Sequence, residues 1–422
     1  PFLNCTCFDA QMDGNRIVSV TAYQMTTQSF VTVKARVFAD CSGDSILAPL
    51  TGAKYDYGRG GKDEYGESMI QTRDQRDCMT MGNSCLIQAR KTNKKVEFHA
   101  PSWAEKISVE KLKSKGVNLH APWENFWYIE IGGYDNVIKN AENYNKRLIA
   151  ICLGVWDTIK NSGEFDADYF DIDFIGFLAA KRESRRMKGD YVMTANDVVE
   201  RRVFPDEVAY GGWPLDDHNP YGLDGEWGNY TIRVSPYGIP HRCLYSENIE
   251  NLYFAGRNIS MTHMAMSSAR VMGTCTTLGQ AVGVSASIAA REGLTPRQVG
   301  QEKIDELQQT LLQMDCFLPN IPRKVRGENL DAAKGRYAVL VNGKDRNICG
   351  EENGLYVGLG EEIVYNFKVP VHADKIKIVF DSDLQRISFG DMHECEKHHT
   401  MRCNILDDSP RMFVPKTLAR DF

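Results

Sequence analysis

Two short turns, far apart in the chain, carry residue types suited to holding a large anionic ligand. The first is Asp40-Cys41-Ser42-Gly43-Asp44, which follows the apolar residues Val37-Phe38-Ala39. The second is Ala255-Gly256-Arg257, which closes the short apolar strand expected over Asn251–Phe254. An apolar strand that stops in a small-residue turn and enters a helix presents backbone N–H groups at a sheet edge, where anions bind. The helix expected after the second turn, from about Val271 to Arg291, carries Gly273, Gly279, Ala281, Gly283, Ala286, Ala289 and Ala290 in its interior. Glycine weakens a helix by about 1 kcal/mol relative to alanine. These glycines therefore predict the close approach of another backbone or of a flat ligand. The N-terminus of the same helix carries partial positive charge, which would stabilise negative charge on a reduced ring system. The two turns and this helix together predict one crevice for an extended, anionic, flat cofactor.

These segments resemble a known family. Asp40–Asp44 after an apolar strand looks like the second FAD-contact motif of glutathione-reductase-type flavoproteins. Asn251–Arg257, followed by Met272-Gly273-Thr274-Cys275-Thr276-Thr277-Leu278-Gly279-Gln280-Ala281, looks like their C-terminal motif near the flavin. More narrowly, four segments resemble bacterial FAD-dependent oxidoreductases often labelled xanthan lyases. They are Arg182-Glu183-Ser184-Arg185-Arg186, the stretch from Phe204-Pro205-Asp206 to His218, Tyr237-Gly238-Ile239-Pro240, and His263 to Met272. The resemblance runs in order over about residues 15–320. It implies FAD as cofactor, held by Ser42, Gly43, Asp44, Gly256, Arg257, Gly273, Thr276, Leu278, Gly279 and Gln280, and it implies an appended C-terminal β-sandwich. Such proteins open with a strand, a G-x-G-x-x-G turn and a helix. No such motif lies in the 422 residues, and Gly58-Arg59-Gly60-Gly61 follows no strand and opens no helix. The chain begins at Pro1 rather than Met, and the expectation is that the element gripping the pyrophosphate is missing from its front end.

Flavin oxidation of an alcohol or amine needs a base at the reacting proton and a carbon placed over the ring. His263 follows the second turn, and His218 lies in the loop Trp213-Pro214-Leu215-Asp216-Asp217-His218. The resemblance implies that His263 and Arg185 stand nearest the flavin. His263, His218 and Arg185 are the catalytic candidates, and Arg182 and Arg270 are candidates for binding a substrate carboxylate or developing anion through paired hydrogen bonds. A plainer reading stands beside each. A lone histidine commonly hydrogen-bonds a loop, and an Arg-Glu-Ser-Arg run is often a helical ion-pair network. Cys275 has no Cys-x-x-Cys partner and reads as structural.

The elements that must position these residues are those of an α/β protein. A meander is expected over Arg16–Tyr23 and Phe30–Ala39, the second strand burying Val31, Val33, Ala35 and Val37. Helical apolar spacing marks Glu142–Ile159, Phe174–Met187 and Glu302–Gln313. From Tyr337 the pattern predicts strands over Tyr337–Val341, Glu362–Val369 and Lys375–Phe380. The expected division is an incomplete Rossmann-like FAD-binding domain (1–60 and 241–300), an inserted α+β substrate domain (61–240), a helix and linker (301–332) and a galactose-binding-like β-sandwich (333–422). Tyr55 to Met79 reads as a long loop, and the aromatic stretch Trp123–Tyr128 as core packing ahead of sugar stacking.

The net charge of −6 excludes a general nucleic-acid binder, which carries a basic excess. No apolar run approaches the ~18 residues of a membrane span. Most of the twelve cysteines read as small buried hydrophobes. His393, Cys395, His398, His399 and Cys403 have metal-ligand types at a spacing that matches no zinc pattern, so a polar loop and no metal are expected. The leading reading is an FAD-dependent oxidoreductase that takes a hydride from a small polar substrate, a sugar or glycoside by family association, with carbohydrate contact through the sandwich. The alternatives are a cofactor-free fragment that binds carbohydrate or a partner, and a flavin-dependent lyase or isomerase without net redox.

Overall fold

The computed structural model describes residues 1–69, 73–119, 126, 128–226, 229–325, 335–347, 350–367, 369–372 and 377–380. Two compact units emerge. The first comprises Pro1–Asp77, Glu183–Asp217 and Tyr230–Val379, and the second is built around Cys78–Arg182 and His218–Asn229. Of the stretch 61–240, the residues up to Asp77, Glu183–Asp217 and those from Tyr230 group with the first unit.

The first unit opens on an antiparallel meander, β1 (Cys5–Asp13), β2 (Arg16–Gln24) and β3 (Ser29–Lys34). Gly14 turns the chain between the first two strands at φ +56°, a conformation that costs glycine nothing. The single strand expected over Phe30–Ala39 divides. β3 ends at Lys34, and β4 (Phe38–Asp40) joins a different sheet. Val33 and Ala35 are exposed, so the alternation marked a strand without marking a buried face.

β4 pairs in parallel with Leu252–Phe254, Phe38 opposite Leu252 and Asp40 opposite Phe254. Parallel neighbours need a crossover, and here it contains Cys78–Arg182 and His218–Asn229 of the second unit. Parallel strands are covered on both faces, which is why they read as unbroken apolar runs. Leu252, Tyr253 and Phe254 are accordingly fully buried.

In chain order the helices are α1 (Leu47–Thr51), α2 (Val109–Ser114), α3 (Ala141–Asn161), α4 (Ala195–Glu200), α5 (His263–Ala269), α6 (Met272–Glu292), α7 (Pro296–Glu302) and α8 (Ile304–Gln313). α6 buries Leu278, Ala281, Val282, Ser285, Ile288 and Ala289, and ends where Gly293 (φ +72°) returns its N–H to Ala289 O. Gly273, Gly279 and Gly283 face the other way. A Cβ built at any of them meets nothing within 4 Å, so the close packing expected there is not supplied by the described chain.

In the second unit α3 buries Leu148, Ile151, Cys152, Val155, Trp156 and Ile159 against the strands Ile87–Lys91 and Phe170–Ile175 and the segment around Ile129. Phe126 and Tyr128 join this core, while Trp123, Trp127 and Trp227 lie outside the described residues. Asn83–Ser84 is the central strand of a small sheet, between Ala180–Lys181 and Glu130–Ile131. The helix expected over Phe174–Met187 is absent. The segment forms the strands Phe170–Ile175, Ala180–Lys181 and Arg186–Met187. Phe174, Phe177 and Leu178 have helical spacing, yet all three are exposed, so there was no apolar face to drive a helix.

The C-terminal strands are also not observed. Gly335–Val341 is a 3-10 helix, and Glu362–Phe367 and Lys377–Phe380 form no strand among the described residues. Among the described residues nothing covers Tyr356, Leu359, Val364, Tyr365 and Ile378, which stand exposed. The remainder of the expected sandwich, with His393, Cys395, His398, His399 and Cys403, lies outside the described residues. No helix among the described residues is long and apolar enough to cross a membrane.

Candidate functional site

The end of β4 is organised by one buried carboxylate. Asp40 Oδ1 accepts from the Ser42 backbone N–H (3.0 Å) and from the Ser42 hydroxyl (2.6 Å), and Oδ2 accepts from Leu47 N–H at 2.8 Å. The side chain thus folds the turn and caps α1. Its own carbonyl accepts from Ala255 N–H (3.2 Å) and from Asn258 Nδ2 (3.3 Å), which fastens the turn to the end of the neighbouring strand.

Asp44 completes the joint between the two turns. Its Oδ1 accepts from Arg257 Nη2 and from Ser184 Oγ, each at 2.8 Å, and its carbonyl accepts from Arg185 Nε at 2.9 Å. Gly43, at φ +72°, lies directly under the Arg257 guanidinium. A Cβ there would stand 2.4 Å from Nη1, so both the backbone angle and the space require glycine. The two turns do frame one structure, as the sequence predicts. Ser184 is an addition that the sequence did not single out, and it becomes visible only once the chain folds back.

Two buried polar atoms in this joint have no partner among the described residues, Arg257 Nε and Asn258 Oδ1. One is a donor and the other an acceptor. The N-terminus of α6 is likewise left without a side-chain cap, because its N-cap residue is Val271, and Met272 and Gly273 are exposed. Of the other residues expected on α6, Thr276 and Gly279 are exposed and Gln280 is half-buried, whereas Leu278 is fully buried in the core. Leu278 can meet a ligand only through its backbone. Cys275 sits near Arg257. Burial pushes its thiol up, and the guanidinium only partly opposes this.

His263 begins α5 and is 1% exposed. Nδ1 donates to Glu183 and Nε2 to Asp217, both at 2.8 Å. Burial opposes the charged ring, but the two carboxylates outweigh it and push the histidine from its ordinary 6.5 up to about 9. At neutral pH it is an imidazolium with both N–H groups committed, so it has no lone pair for abstracting a proton. This corrects its expected role as a base. The same cluster holds Arg186, which pairs with Glu183 and donates to the carbonyls of Met261 (3.0 Å) and Gly58 (2.7 Å). Glu67 accepts from Thr262 Oγ1 and from Ala195 N–H. Arg270 lies 3.6 Å from Asp216 in the same unit, which makes it an ion-pair partner in this structure.

In the second unit, Glu130 is the centre of a separate polar group. It accepts from Gly82 N–H (2.7 Å), from His218 Nδ1 (2.7 Å) and from Arg182 Nη1 at 3.0 Å. Arg182 also hydrogen-bonds Ser84 Oγ. Burial alone would raise the Glu130 carboxyl, but Arg182 and His218 hold it below its usual range. With Glu130 ionised, His218 Nδ1 is the donor in the bond between them. Arg182 and His218 are thus brought together, and Arg185 is not part of this group. Glu130, Glu183, Asp217 and Glu67 were missed by sequence reasoning, since a buried carboxylate carries no local signature. Among the described residues, no group of three or more metal-ligating side chains stands ready to hold an ion.

No curated protein and no solved structure matches the chain. One family model does, over residues 1–311, and its description is FAD dependent oxidoreductase.

Proposed function

The chain belongs to the FAD-dependent oxidoreductase family and uses FAD, and on that premise we propose that the joint between β4 and Leu252–Phe254 is where the cofactor is held. The observation that carries this is the pair of unpartnered buried atoms, Arg257 Nε and Asn258 Oδ1, beside the uncapped N-terminus of α6. A ligand presenting both hydrogen-bond donors and acceptors, with negative charge near a helix N-terminus, satisfies all three. Ser42, Gly43, Asp44, Gly256 and Arg257 line the joint, and Gly273, Thr276, Gly279 and Gln280 line the open side of α6. When bound, the flavin supplies a two-electron acceptor for hydride.

The protein's own contribution is positioning and proton transfer. Arg185 is a positioning residue, since its guanidinium donates to Asp44 O and lies over the Tyr55 ring. Proton removal is assigned to His218, with Glu130 fixing its tautomer and orientation and Arg182 fixing Glu130. His263 acts as a charged strut inside the first unit. The substrate class this favours is a small polar molecule with an oxidisable hydroxyl or amine, and a sugar or glycoside is the first to try.

Two outcomes test this reading. Mixing the FAD-loaded protein with candidate alcohols, sugars and amines without oxygen should bleach the visible flavin absorption for one class. A flavin that stays oxidised with a substrate that is nonetheless converted contradicts net hydride transfer. In addition, His218→Gln should lower kcat/KM by about 10²–10⁴-fold while leaving FAD affinity unchanged. Glu130→Gln should show a smaller loss with the same unchanged affinity. Wild-type rates in His218→Gln would remove the histidine from the chemistry.

A further inference from the structure

In the first unit, a buried carboxylate with no cation beside it fastens the chain that follows α8. Glu207 begins the strand Glu207–Gly211 and is 0% exposed. Both of its oxygens accept from one residue, Asn320: Oε1 from the backbone N–H at 3.1 Å and Oε2 from Nδ2 at 2.7 Å. Gly238, on the paired strand Tyr237–Pro240, closes the other side, where a Cβ would collide with Oε2. The first strand holds the same segment again through Tyr210, whose ring meets Phe317 edge-on at 5.2 Å. Three residues apart in a regular strand, Glu207 and Tyr210 would face opposite ways, and the register shift between Glu207 and Ala209 turns them to one side. α8 grips the segment through Gln309, which donates to Pro322 O (3.2 Å) and accepts from Lys324 N–H (2.7 Å). Gln308 ties α8 itself to the carbonyls of Pro205 and Glu207. Residues 316–324 therefore form a strap across the strand and α8.

We propose that Glu207 is a proton-operated latch for this strap, which stays shut while the carboxyl carries its proton and opens when the proton is lost. Both protonation states can keep two hydrogen bonds to Asn320. The carboxylate accepts both. In the acid, the Asn320 amide turns over, so that its Oδ1 accepts the Oε2 proton while the backbone N–H still donates to Oε1. What differs between the states is the charge. A buried carboxylate without a cation is costly, and lifting the strap returns it to water.

The groups around Glu207 do not relieve that charge. Asp206 adds like charge and is itself bonded by Arg242. On the turn after Tyr237–Pro240, His241 is kept neutral by burial, which pushes it down to about 4, and burial raises the Cys243 thiol. Tyr237 shares a hydrogen bond with Ser268. At the start of α8, Asp305 pairs with Lys324, and Glu306 pairs with Arg291 of α6 and faces Lys303. On and beside the strap, Arg323 pairs with Asp345 and Asp315 with Arg346, and burial raises the Cys316 thiol. No cation among the described residues pairs with Glu207. Burial, reinforced by Asp206 and only partly opposed by Asn320, raises its carboxyl from 4.5 to about 7. The cost of keeping the strap shut is thus absent below pH 4.5 and complete above 7.

Hydrogen–deuterium exchange of the folded protein, read by mass spectrometry from about pH 5 to about pH 8 and corrected for the intrinsic exchange rate, follows the strap directly. Protection of the 316–324 peptide should fall about 10–100-fold across that range, while the peptide containing Leu252–Phe254 keeps its protection. Glu207→Gln keeps the shape and cannot ionise, so its strap should stay protected throughout. A wild-type strap whose protection is flat with pH overturns the proposal. So does a slope that survives in Glu207→Gln. A loss shared equally by Leu252–Phe254 is global loosening and overturns it as well. Wild type alone gives both the slope and its local character, so the result stands even if the glutamine variant does not fold.

Discussion

Replacing Glu183 by alanine is expected to destabilise the protein by about 3–5 kcal/mol, enough to unfold many domains. Glu183 is fully buried, and its two oxygens serve two cations, His263 through Nδ1 and Arg186 through Nη1. Truncation leaves both positive charges in the interior without the carboxylate that bonds them, and Asp217 and Glu67 compensate them only in part. Glu183→Gln keeps the volume and part of the hydrogen bonding, so its loss should be smaller. Denaturant unfolding of the two variants against wild type gives the comparison. A Glu183→Ala protein within 1 kcal/mol of wild type would mean that the cluster is not the brace described here.

The same cluster sets a pH dependence. The folded-state value of His263 is raised from 6.5 to about 9. Its contribution to stability is therefore fully present below pH 6.5 and is lost as pH rises through 9. Wild type should weaken across that window. His263→Gln should be less stable at pH 6 and should lose most of this slope.

The second large effect concerns the cofactor. Arg257→Leu is expected to weaken FAD binding by about 10- to 150-fold, the equivalent of one charge-assisted hydrogen bond of ~1.5–3 kcal/mol. Arg257 braces the first turn through Asp44 and carries the unpartnered Nε, so the variant loses both the brace and a donor. Gly43→Ala should weaken binding by another route. Its Cβ would press on Nη1 from 2.4 Å and must adopt φ +72°. The guanidinium would have to move, although every charge is kept. Fluorescence titration with FAD separates these variants from wild type, and circular dichroism separates loss of binding from loss of fold. If Arg257→Leu binds FAD as wild type does, the site lies elsewhere.

Much of the joint between the two turns was legible from residue types. A strand that ends in Asp-Cys-Ser-Gly-Asp, and another that ends in Gly-Arg, state their geometry locally, because a left-handed turn and a short capping side chain leave a sequence mark. The long helices were equally readable. α3 lies within two residues of where apolar spacing placed it, and α6 within one of where its small-residue composition did. The segment 174–187 was not readable. Its apolar spacing copied a helix, while Glu183, Ser184 and Arg186 took partners from residues 44, 58, 261 and 263. An Arg-rich run reads as a solvated helix face unless its distant partners are known. For the same reason Glu130 went unnoticed, since its neighbours Gly82, Arg182 and His218 come from three separate segments. Buried ion clusters are tertiary objects, and periodicity does not encode them.

The most direct measurement is FAD titration of the purified chain, followed by flavin fluorescence and the visible flavin bands. Saturable binding of one FAD per chain, weakened in Arg257→Leu and in Gly43→Ala but kept in His218→Gln, is the expected result. FAD binding that ignores the Asp44–Arg257 joint, unchanged in both Arg257→Leu and Gly43→Ala, would contradict it.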